Sequence, residues 1–329
     1  MNSITKTQLA AVLLITDIFM LFCFEGSLSL WSVIGFILGI AAQGMFALPL
    51  IIFADRGVKT EKWAEIFYLI CIAVWGGFLL DRLWNACDAI FVPYETTGGL
   101  KGRLLITGTI SLVCLYISST GMKAASRSAV IAAGIGVIFL TINFISSVKK
   151  QNFSNITASH GGGFIDGVFL CFSLSGSIIV GAVLAPLVHD SCKTGAKRYF
   201  SMRLCISAAV LFTALLVTGG IMRITDFPII TAAQLSQPFT KQRIDSLFMI
   251  LFAISAVFSV TAQVMTGAYL LGEIFPKFTK WRSTVMISMT IVTAVLLADI
   301  PIYSLLTAVL AFMAEFAVPL AMLLRRRKK

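Results

Sequence analysis

The chain contains about ten apolar stretches, each long enough to cross a bilayer, separated by short charged connectors. A spanning helix needs roughly 20 predominantly apolar residues. The predicted spans are Gln8–Glu25, Leu28–Phe53, Trp63–Phe91, Leu104–Ser119, Ser126–Val148, Phe164–Leu187, Tyr199–Ile221, Ile244–Phe275, Ser283–Leu297 and Ile302–Leu324. Only 12% of the 329 residues are charged and 58% are hydrophobic, which excludes a soluble globular domain. The sequence therefore predicts an all-α integral membrane protein in which residues 1–329 form a single transmembrane domain.

The distribution of basic residues predicts that both termini are cytoplasmic. With the N-terminus inside, the inner connectors and the C-terminal tail carry 18 of the 26 Lys and Arg residues, and the outer connectors carry seven. Lys and Arg in short loops are retained on the cytoplasmic side. This count assigns Arg203 to an inner connector and leaves only Arg82 within a span. The net charge of +11 thus reflects topology and lipid headgroups, and no connector is long enough to fold a nucleic-acid-binding domain.

Carboxylates at membrane depth are candidates for function because they are costly there. Asp17 lies near the middle of span one, among Leu, Ile, Phe and Met residues. Two hypotheses fit it: a site for a substrate amine, a proton or a cation at a helix break, or a carboxylate paired with a neighbouring helix. Glu315 in span ten is a second candidate.

A polar stripe runs along one face of span three, because Asp81, Asn85 and Asp88 follow the i, i+4, i+7 spacing of a helix. The stripe begins roughly 27 Å along the helix from Trp63, close to the outer interface. We expect it to face the outer vestibule or the neighbouring loops, with Asp81 in a structural or gating role.

The middle of span six, Phe172–Ser177, combines small hydroxyl residues with a glycine between apolar flanks. Ordinary close helix packing explains such a patch. A discontinuous helix, whose free amides and carbonyls bind a small zwitterion, explains it equally. Ten spans with short connectors also suit a five-plus-five inverted repeat, with spans one to five in residues 1–148, spans six to ten in residues 163–329, and interruptions in spans one and six.

Catalytic and metal-binding motifs are not apparent. The two histidines, His160 and His189, lie in connectors, and the seven cysteines show neither pairing nor metal spacing. We therefore expect no enzymatic activity, no cofactor and no metal site.

The segment Phe239–Ser255 resembles the hallmark of the permease-like B subunits of GerA-type spore germination receptors. In that family an Arg-hydrophobic-acidic triplet opens span eight, as Arg243, Ile244 and Asp245 do here. The polar lead Ile4–Gln8 is similar to the start of the family's first span. The stretch from Phe172 to Pro186 and the basic connector after it are similar to the family's sixth span and its connector. Where the family usually has a glycine in span one, this chain has Ile18, Phe19 and Met20.

The resemblance implies membership of the amino acid, polyamine and organocation transporter superfamily, with a LeuT-like ten-helix core broken in helices one and six. It implies a subunit in the inner (cytoplasmic) membrane of a bacterial endospore, which acts with A-type and C-type subunits to sense nutrients, commonly amino acids. Arg243 and Asp245 are expected to cap span eight and to tether the outer loop before it. By position, the implied ligand-site residues are Thr16, Asp17, Phe19, Ser173, Ser175, Gly176, Ser259 and Thr261.

Two alternative functions stay open. The first is a secondary transporter that moves amino acids or similar solutes by itself, coupled to protons or sodium. The second is a structural partner that binds no ligand. Sequence barely separates the receptor from the transporter, because a receptor of this kind is built on a transporter fold. Asp17 is the discriminating residue, since a proton-coupled carrier could use an intramembrane carboxylate.

Overall fold

The computed structural model describes residues 4–56, 60–91, 100–158, 162–188, 191–219, 227–235, 244–278, 281–298, 300 and 302–327. Within these ranges the chain is almost entirely helical. The strand-like pairing described there is a single parallel bridge, between Ile4 and Val188.

The described helices follow the order of the predicted spans, with some spans divided in two. The first part of the chain forms α1 (Lys6–Phe22), α2 (Leu30–Phe46), α3 (Leu48–Asp55), α4 (Lys62–Phe91), α5 (Leu100–Thr120), α6 (Met122–Ser147) and α7 (Asn155–Ala158). The rest forms α8 (Phe164–Ser173), α9 (Ser177–Leu184), α10 (Cys192–Thr218), α11 (Pro228–Leu235), α12 (Ile244–Ile274), α13 (Arg282–Leu297), α14 (Tyr303–Phe312) and α15 (Val318–Arg327). A π-helical segment, Met313–Ala317, joins the last two helices.

The chain is a multi-pass membrane protein. Seven helical stretches in the described ranges are long and apolar enough to cross a bilayer, and the bent pair Phe164–Ser173 and Ser177–Leu187 makes eight if it counts as one span. The helices α1 and α13 lie where spans one and nine are predicted, but they have only 17 and 16 residues and are not among these stretches. The count of ten spans, the repeat over residues 1–148 and 163–329, and the cytoplasmic termini stay predictions.

Three helices start four or more residues earlier than hydropathy predicts, and one of them is α5, which begins at Leu100 instead of Leu104. The helix α6 begins at Met122 instead of Ser126, and α10 begins at Cys192 instead of Tyr199. The additional turns carry the basic residues that hydropathy assigns to connectors. Lys and Arg are good helix formers, so the helices continue past the apolar stretch.

The helix α1 lies at the centre of the bundle. All its residues from Gln8 to Phe22 are buried, and it packs against α6, α10 and α12. A capping box fixes its start: the backbone N–H of Gln8 donates to Thr5 Oγ1 at 3.3 Å, and the backbone N–H of Thr5 donates to Gln8 Oε1 at 2.9 Å. The predicted interruption of span one is wrong, because α1 is continuous over Lys6–Phe22.

Span six is discontinuous. The helices α8 and α9 meet at a bend of 46°, and residues 174–176 between them are not helical. Of the two interpretations of the Phe172–Ser177 patch, the structure thus shows the broken helix. The break lies against the middle of the bundle, since α9 packs on α1, α4 and α12.

Candidate functional site

Asp17 lies in the buried interior, about two thirds of the way along α1. Its carboxylate accepts hydrogen bonds from Ser177 Oγ at 2.5 Å and from the Tyr199 hydroxyl at 2.6 Å. Arg203 Nε lies 3.2 Å from Asp17 Oδ2 and forms an ion pair with it. These partners, on α9 and α10, replace the hydration that the carboxylate loses on burial. Asp17 therefore has the neighbouring-helix partners that one of the two sequence hypotheses requires.

Arg203 belongs to the core of the bundle, and its assignment to an inner connector is wrong. The residue is 2% exposed. Because α10 begins at Cys192, Arg203 lies roughly 16 Å along this helix. Its guanidinium donates to Gln43 Oε1 at 2.8 Å, to the Tyr199 hydroxyl at 3.4 Å, and to Ser175 Oγ. An arginine at membrane depth is tolerated when partners such as these surround it.

Gln43 joins α2 to the same group of side chains. Its Oε1 atom lies 3.0 Å from Ser175 Oγ and 3.4 Å from Cys171 Sγ, in addition to its contact with Arg203. A single buried amide oxygen thus connects α2, α8, the break in span six, and α10. We call the connected residues the core cluster: Asp17, Gln43, Ser175, Ser177, Tyr199 and Arg203.

The break in span six has a local cause in its small residues. Ser173 Oγ donates to the Leu170 carbonyl at 3.1 Å, and Ser175 Oγ bonds to the Cys171 carbonyl. Serine side chains that bond backbone carbonyls compete with regular helix hydrogen bonds. Gly176 adds a steric requirement, because a Cβ atom at this position would overlap the indole ring of Trp75 on α4. The lack of a side chain at Gly176 thus allows the break and Trp75 to pack together.

Several buried polar atoms near the middle of the bundle have no hydrogen-bond partner among the described residues. They are Gln43 Nε2, Trp75 Nε1, both side-chain polar atoms of Gln263, and both carboxyl oxygens of Glu315. Each such group costs free energy when it is buried alone. Glu315 is 0% exposed and lies in the π-helical segment, a feature that is frequent at functional sites. A bound molecule or a water would form hydrogen bonds with these atoms.

The structure brings Asp17, Ser175 and Gly176 of the predicted ligand residues together, at the core cluster and its Trp75 wall. Thr16 Oγ1 instead donates to the Val12 carbonyl of its own helix at 2.9 Å. Phe19 packs against Phe252 of α12, with 5.6 Å between the ring centroids.

The remaining predicted ligand residues, Ser173, Ser259 and Thr261, lie in spans six and eight. The carbonyl of Ser173 lies 3.5 Å from Thr307 Oγ1. Ser259 Oγ donates to the Ser255 carbonyl at 2.6 Å. Thr261 Oγ1 donates to the carbonyl of Val257 and lies 3.3 Å from Cys114 Sγ. Hydrogen bonds described for these three side chains do not reach the core cluster.

A second polar group lies where α1 ends. Glu25 forms an ion pair with Arg82 and accepts a hydrogen bond from Asn85 Nδ2 at 3.3 Å. Asp88 pairs with Arg103 at the start of α5, with 3.4 Å between Nη2 and Oδ2. We call these five residues the outer cluster. Of the span-three stripe, Asn85 thus contacts the connector after α1, as expected, whereas Asp88 contacts the helix α5. Asp81, the third member of the stripe, is 7% exposed.

The triplet that opens span eight is only partly within the described residues. Arg243 lies outside them, and for Asp245 the structure describes only its helical backbone at the start of α12. Their roles stay predictions.

Sequence reasoning missed Gln43, Trp75, Tyr199 and Arg203 as members of the site. One signal was present: Tyr199 and Arg203 are four residues apart and share a face of α10. Gln43 is also a lone amide in an apolar stretch. Trp75 carried no signal, since a tryptophan in a membrane span is unremarkable without its neighbours.

A metal site does not emerge from the described ranges, where no three His, Cys, Asp or Glu side chains are grouped to hold an ion. The polar groups that the fold gathers are a carboxylate, a guanidinium, an amide and hydroxyls. This set can bind a small molecule that carries both a cationic and an anionic group.

Comparison with known proteins supports the fold. No family model matches the chain, and no curated protein matches its sequence. Among solved structures, the chain is similar to Mhp1, a nucleobase-cation-symport-1 family transporter solved in a closed conformation with bromovinylhydantoin bound. The two share 13% sequence identity with a TM-score of 0.65, over 94% of this chain and 75% of Mhp1. The protein therefore has a transporter-like membrane fold.

Proposed function

We propose that this protein is the membrane subunit of a nutrient germinant receptor that binds a small ligand, such as an amino acid, within a transporter-like fold. The observation that carries the proposal is the buried Asp17–Arg203 pair beside the break in span six. An amino acid has an ammonium group that Asp17 can bind and a carboxylate that Arg203 can bind. Binding between them would exchange one internal ion pair for two with the ligand.

Trp75, which packs against Gly176, lies where such a ligand would bind. Trp75 is 0% exposed, and its indole N–H has no described partner. A ligand at the break would displace this ring and could accept a hydrogen bond from Nε1. Glu315 offers the displaced Arg203 a second carboxylate, because both its oxygens are unpaired in the described structure.

Two features favour sensing over transport. The first is the resemblance to GerA-type B subunits, from which the A-type and C-type partners and the endospore inner membrane follow as part of this proposal. The second is α1, which is continuous and held to α10 by the Asp17–Arg203 pair. Carriers of this architecture form their substrate and ion sites with discontinuous helices, and a continuous α1 departs from that pattern. We infer no enzymatic role.

The second candidate function is an autonomous secondary transporter of small solutes. The likeness in fold to Mhp1 favours it, since that protein is a transporter. Under this hypothesis the intramembrane carboxylates Asp17 and Glu315 would carry the coupling proton or bind the coupling cation.

Binding and uptake by the purified chain in proteoliposomes test these hypotheses. Saturable binding of an amino acid without accumulation supports the receptor subunit. Accumulation that depends on a proton or sodium gradient identifies a transporter instead. Absence of both, in protein that elutes as a single species, contradicts the ligand site and favours a structural partner. Copurification with A-type and C-type subunits tests the assembly separately.

A matched pair of variants assigns the ligand to the core cluster. Asp17→Asn keeps the shape of the side chain and removes the charge that would bind the ligand's ammonium group. Asp88→Asn makes the same chemical change in the outer cluster. We expect Asp17→Asn to abolish binding and Asp88→Asn to leave it near the wild-type level. Equal binding by both variants would place the ligand elsewhere.

A further inference from the structure

A cavity of about 270 Å³ lies between α6 and α10, away from the core cluster. Its floor is formed by α1, α11 and α12, where Phe22 and Phe248 are buried. Its rim includes Thr141 and Phe144 of α6 and Cys205 and Ala209 of α10, whose side chains are exposed. The cavity therefore opens sideways between two helices, toward the surface where a spanning bundle meets lipid.

The position along the helices places this cavity in one half of the bilayer. Cys205 lies roughly 20 Å and Thr213 roughly 32 Å from the start of α10 at Cys192. On α6, Ile138 and Ile145 flank the cavity and are 59% and 66% exposed. Large exposed apolar side chains at this depth face hydrocarbon in a membrane protein. The opening is thus in contact with lipid chains of the leaflet that is predicted to be external.

The lining combines an apolar surface with two unsatisfied polar atoms. None of the lining residues carries a charge. Asn143 Oδ1 and Thr213 Oγ1 are buried and have no hydrogen-bond partner among the described residues, and both side chains line the cavity. An amide oxygen accepts hydrogen bonds only, so Asn143 requires a donor. A charged headgroup would find no countercharge here, whereas a hydroxyl group would satisfy the free acceptor.

We propose that this cavity binds a neutral amphiphile from the surrounding leaflet, with its hydrocarbon body in the apolar groove and its hydroxyl group donating to Asn143 Oδ1 or Thr213 Oγ1. The volume is close to the lower end of the range for small-molecule sites. The site is independent of the proposed amino-acid site, because it shares no residue with the core cluster. An occupant would bridge α6 and α10 and would contact Phe22 at the end of α1.

Photolabelling in phosphatidylcholine proteoliposomes tests the proposal. The probe is a medium-chain primary alcohol that carries a diazirine, and mass spectrometry locates its adducts. We expect saturable adducts on residues 137–144 and 205–214, and competition by decanol. Adducts that do not saturate, or that appear equally at the lipid-facing Ile131, would mean ordinary lipid contact and would overturn the proposal.

Variants test the cavity and its polar atoms independently. Ala209→Trp fills the cavity and should reduce the adducts to the level found at Ile131. Ala253→Trp, at an exposed position of α12 outside the cavity, is the control and should label like the wild type. Persistent saturable labelling in Ala209→Trp, in protein that elutes as a single species, would overturn the site.

The double variant Asn143→Leu/Thr213→Val tests the hydroxyl contact. It should weaken competition by decanol about fivefold, the effect expected of one hydrogen bond. Competition by decane, which has no hydroxyl group, should be unchanged. Equal competition by decanol in the wild type and the double variant would contradict the assigned hydrogen bond.

Discussion

Two polar clusters hold α1 in the bundle, and they differ in their access to water. In the core cluster, the side chains of Asp17 and Arg203 are 6% and 2% exposed, and hydroxyl and amide groups surround them. In the outer cluster, the side chains of Glu25 and Arg82 are 30% and 18% exposed. A charge that loses its partner in the outer cluster can be rehydrated, whereas a charge in the core cannot. Removing one partner of an ion pair is therefore expected to cost more within α1 than beyond its end.

The largest expected effect comes from removing one member of the core pair. Arg203→Met keeps an apolar side chain of similar length and leaves Asp17 buried without its countercharge. We expect a loss of about 3–5 kcal/mol in the free energy of unfolding, measured by SDS titration of the protein in detergent micelles. The double variant Asp17→Leu/Arg203→Met removes both charges and should lose less than the sum of the single changes. Strictly additive losses would mean that the two side chains do not interact.

The second effect concerns the close approach of Trp75 to span six. Gly176→Ala places a methyl group where the indole ring lies, and we expect a loss of about 1–3 kcal/mol. Gly108→Ala on α5 is the control, because its Cβ would meet no described atom beyond its own helix backbone within 4 Å. This control should be as stable as the wild type or slightly more stable, since alanine favours a helix. Equal destabilisation by both changes would contradict the packing at the break.

A smaller effect is expected in the outer cluster. Arg82→Gln removes the charge that pairs with Glu25 but leaves the carboxylate partly hydrated. We expect a loss of about 0.5–1 kcal/mol at low salt. The loss should shrink at about 1 M salt, where screening is strong. A loss as large as that of Arg203→Met, insensitive to salt, would mean that the outer pair is as isolated from water as the core pair.

The smallest effect is expected at the exposed pair between Arg325 of α15 and Glu61. Its Nη1 and Oε2 atoms are 2.8 Å apart, but the arginine side chain is 61% exposed. Arg325→Gln should change the free energy of unfolding by less than about 0.5 kcal/mol. A loss comparable with that of Arg82→Gln would contradict the expectation that an ion pair contributes less to the free energy of unfolding as its exposure increases.

The long apolar helices and the break in span six could be predicted because their causes are local in sequence. Long apolar stretches determine helices at membrane depth, and the closely spaced serines and glycine of Phe172–Ser177 weaken a helix where they stand. The expected break in span one had no such local cause. Ile18, Phe19 and Met20 continue the helix, and Thr16 bonds within it.

The core cluster could be predicted only in part, because its partners are distant in sequence. Asp17 stood out as a charge in an apolar stretch, but its partner Arg203 follows a run of basic residues and was grouped with them. Counting the basic residues does not show where a helix begins, and α10 begins before that run. The pairing of Glu25 with Arg82 was equally inaccessible, since it depends on how α1 and α4 meet.

The π-helical segment Met313–Ala317 bears on how the C-terminal part of the chain tolerates changes in length. Such a segment contains one residue more than the regular helix that would replace it. Deleting one residue within it would therefore restore the regular helix and leave the residues after it facing the same way. A deletion in the regular helix α14 would instead rotate everything after it by about 100°. Val318 and Met322, which are buried in α15, would turn away from the core only after a deletion of the second kind. Among related sequences, single-residue gaps should therefore be more frequent at 313–317 than within Tyr303–Phe312.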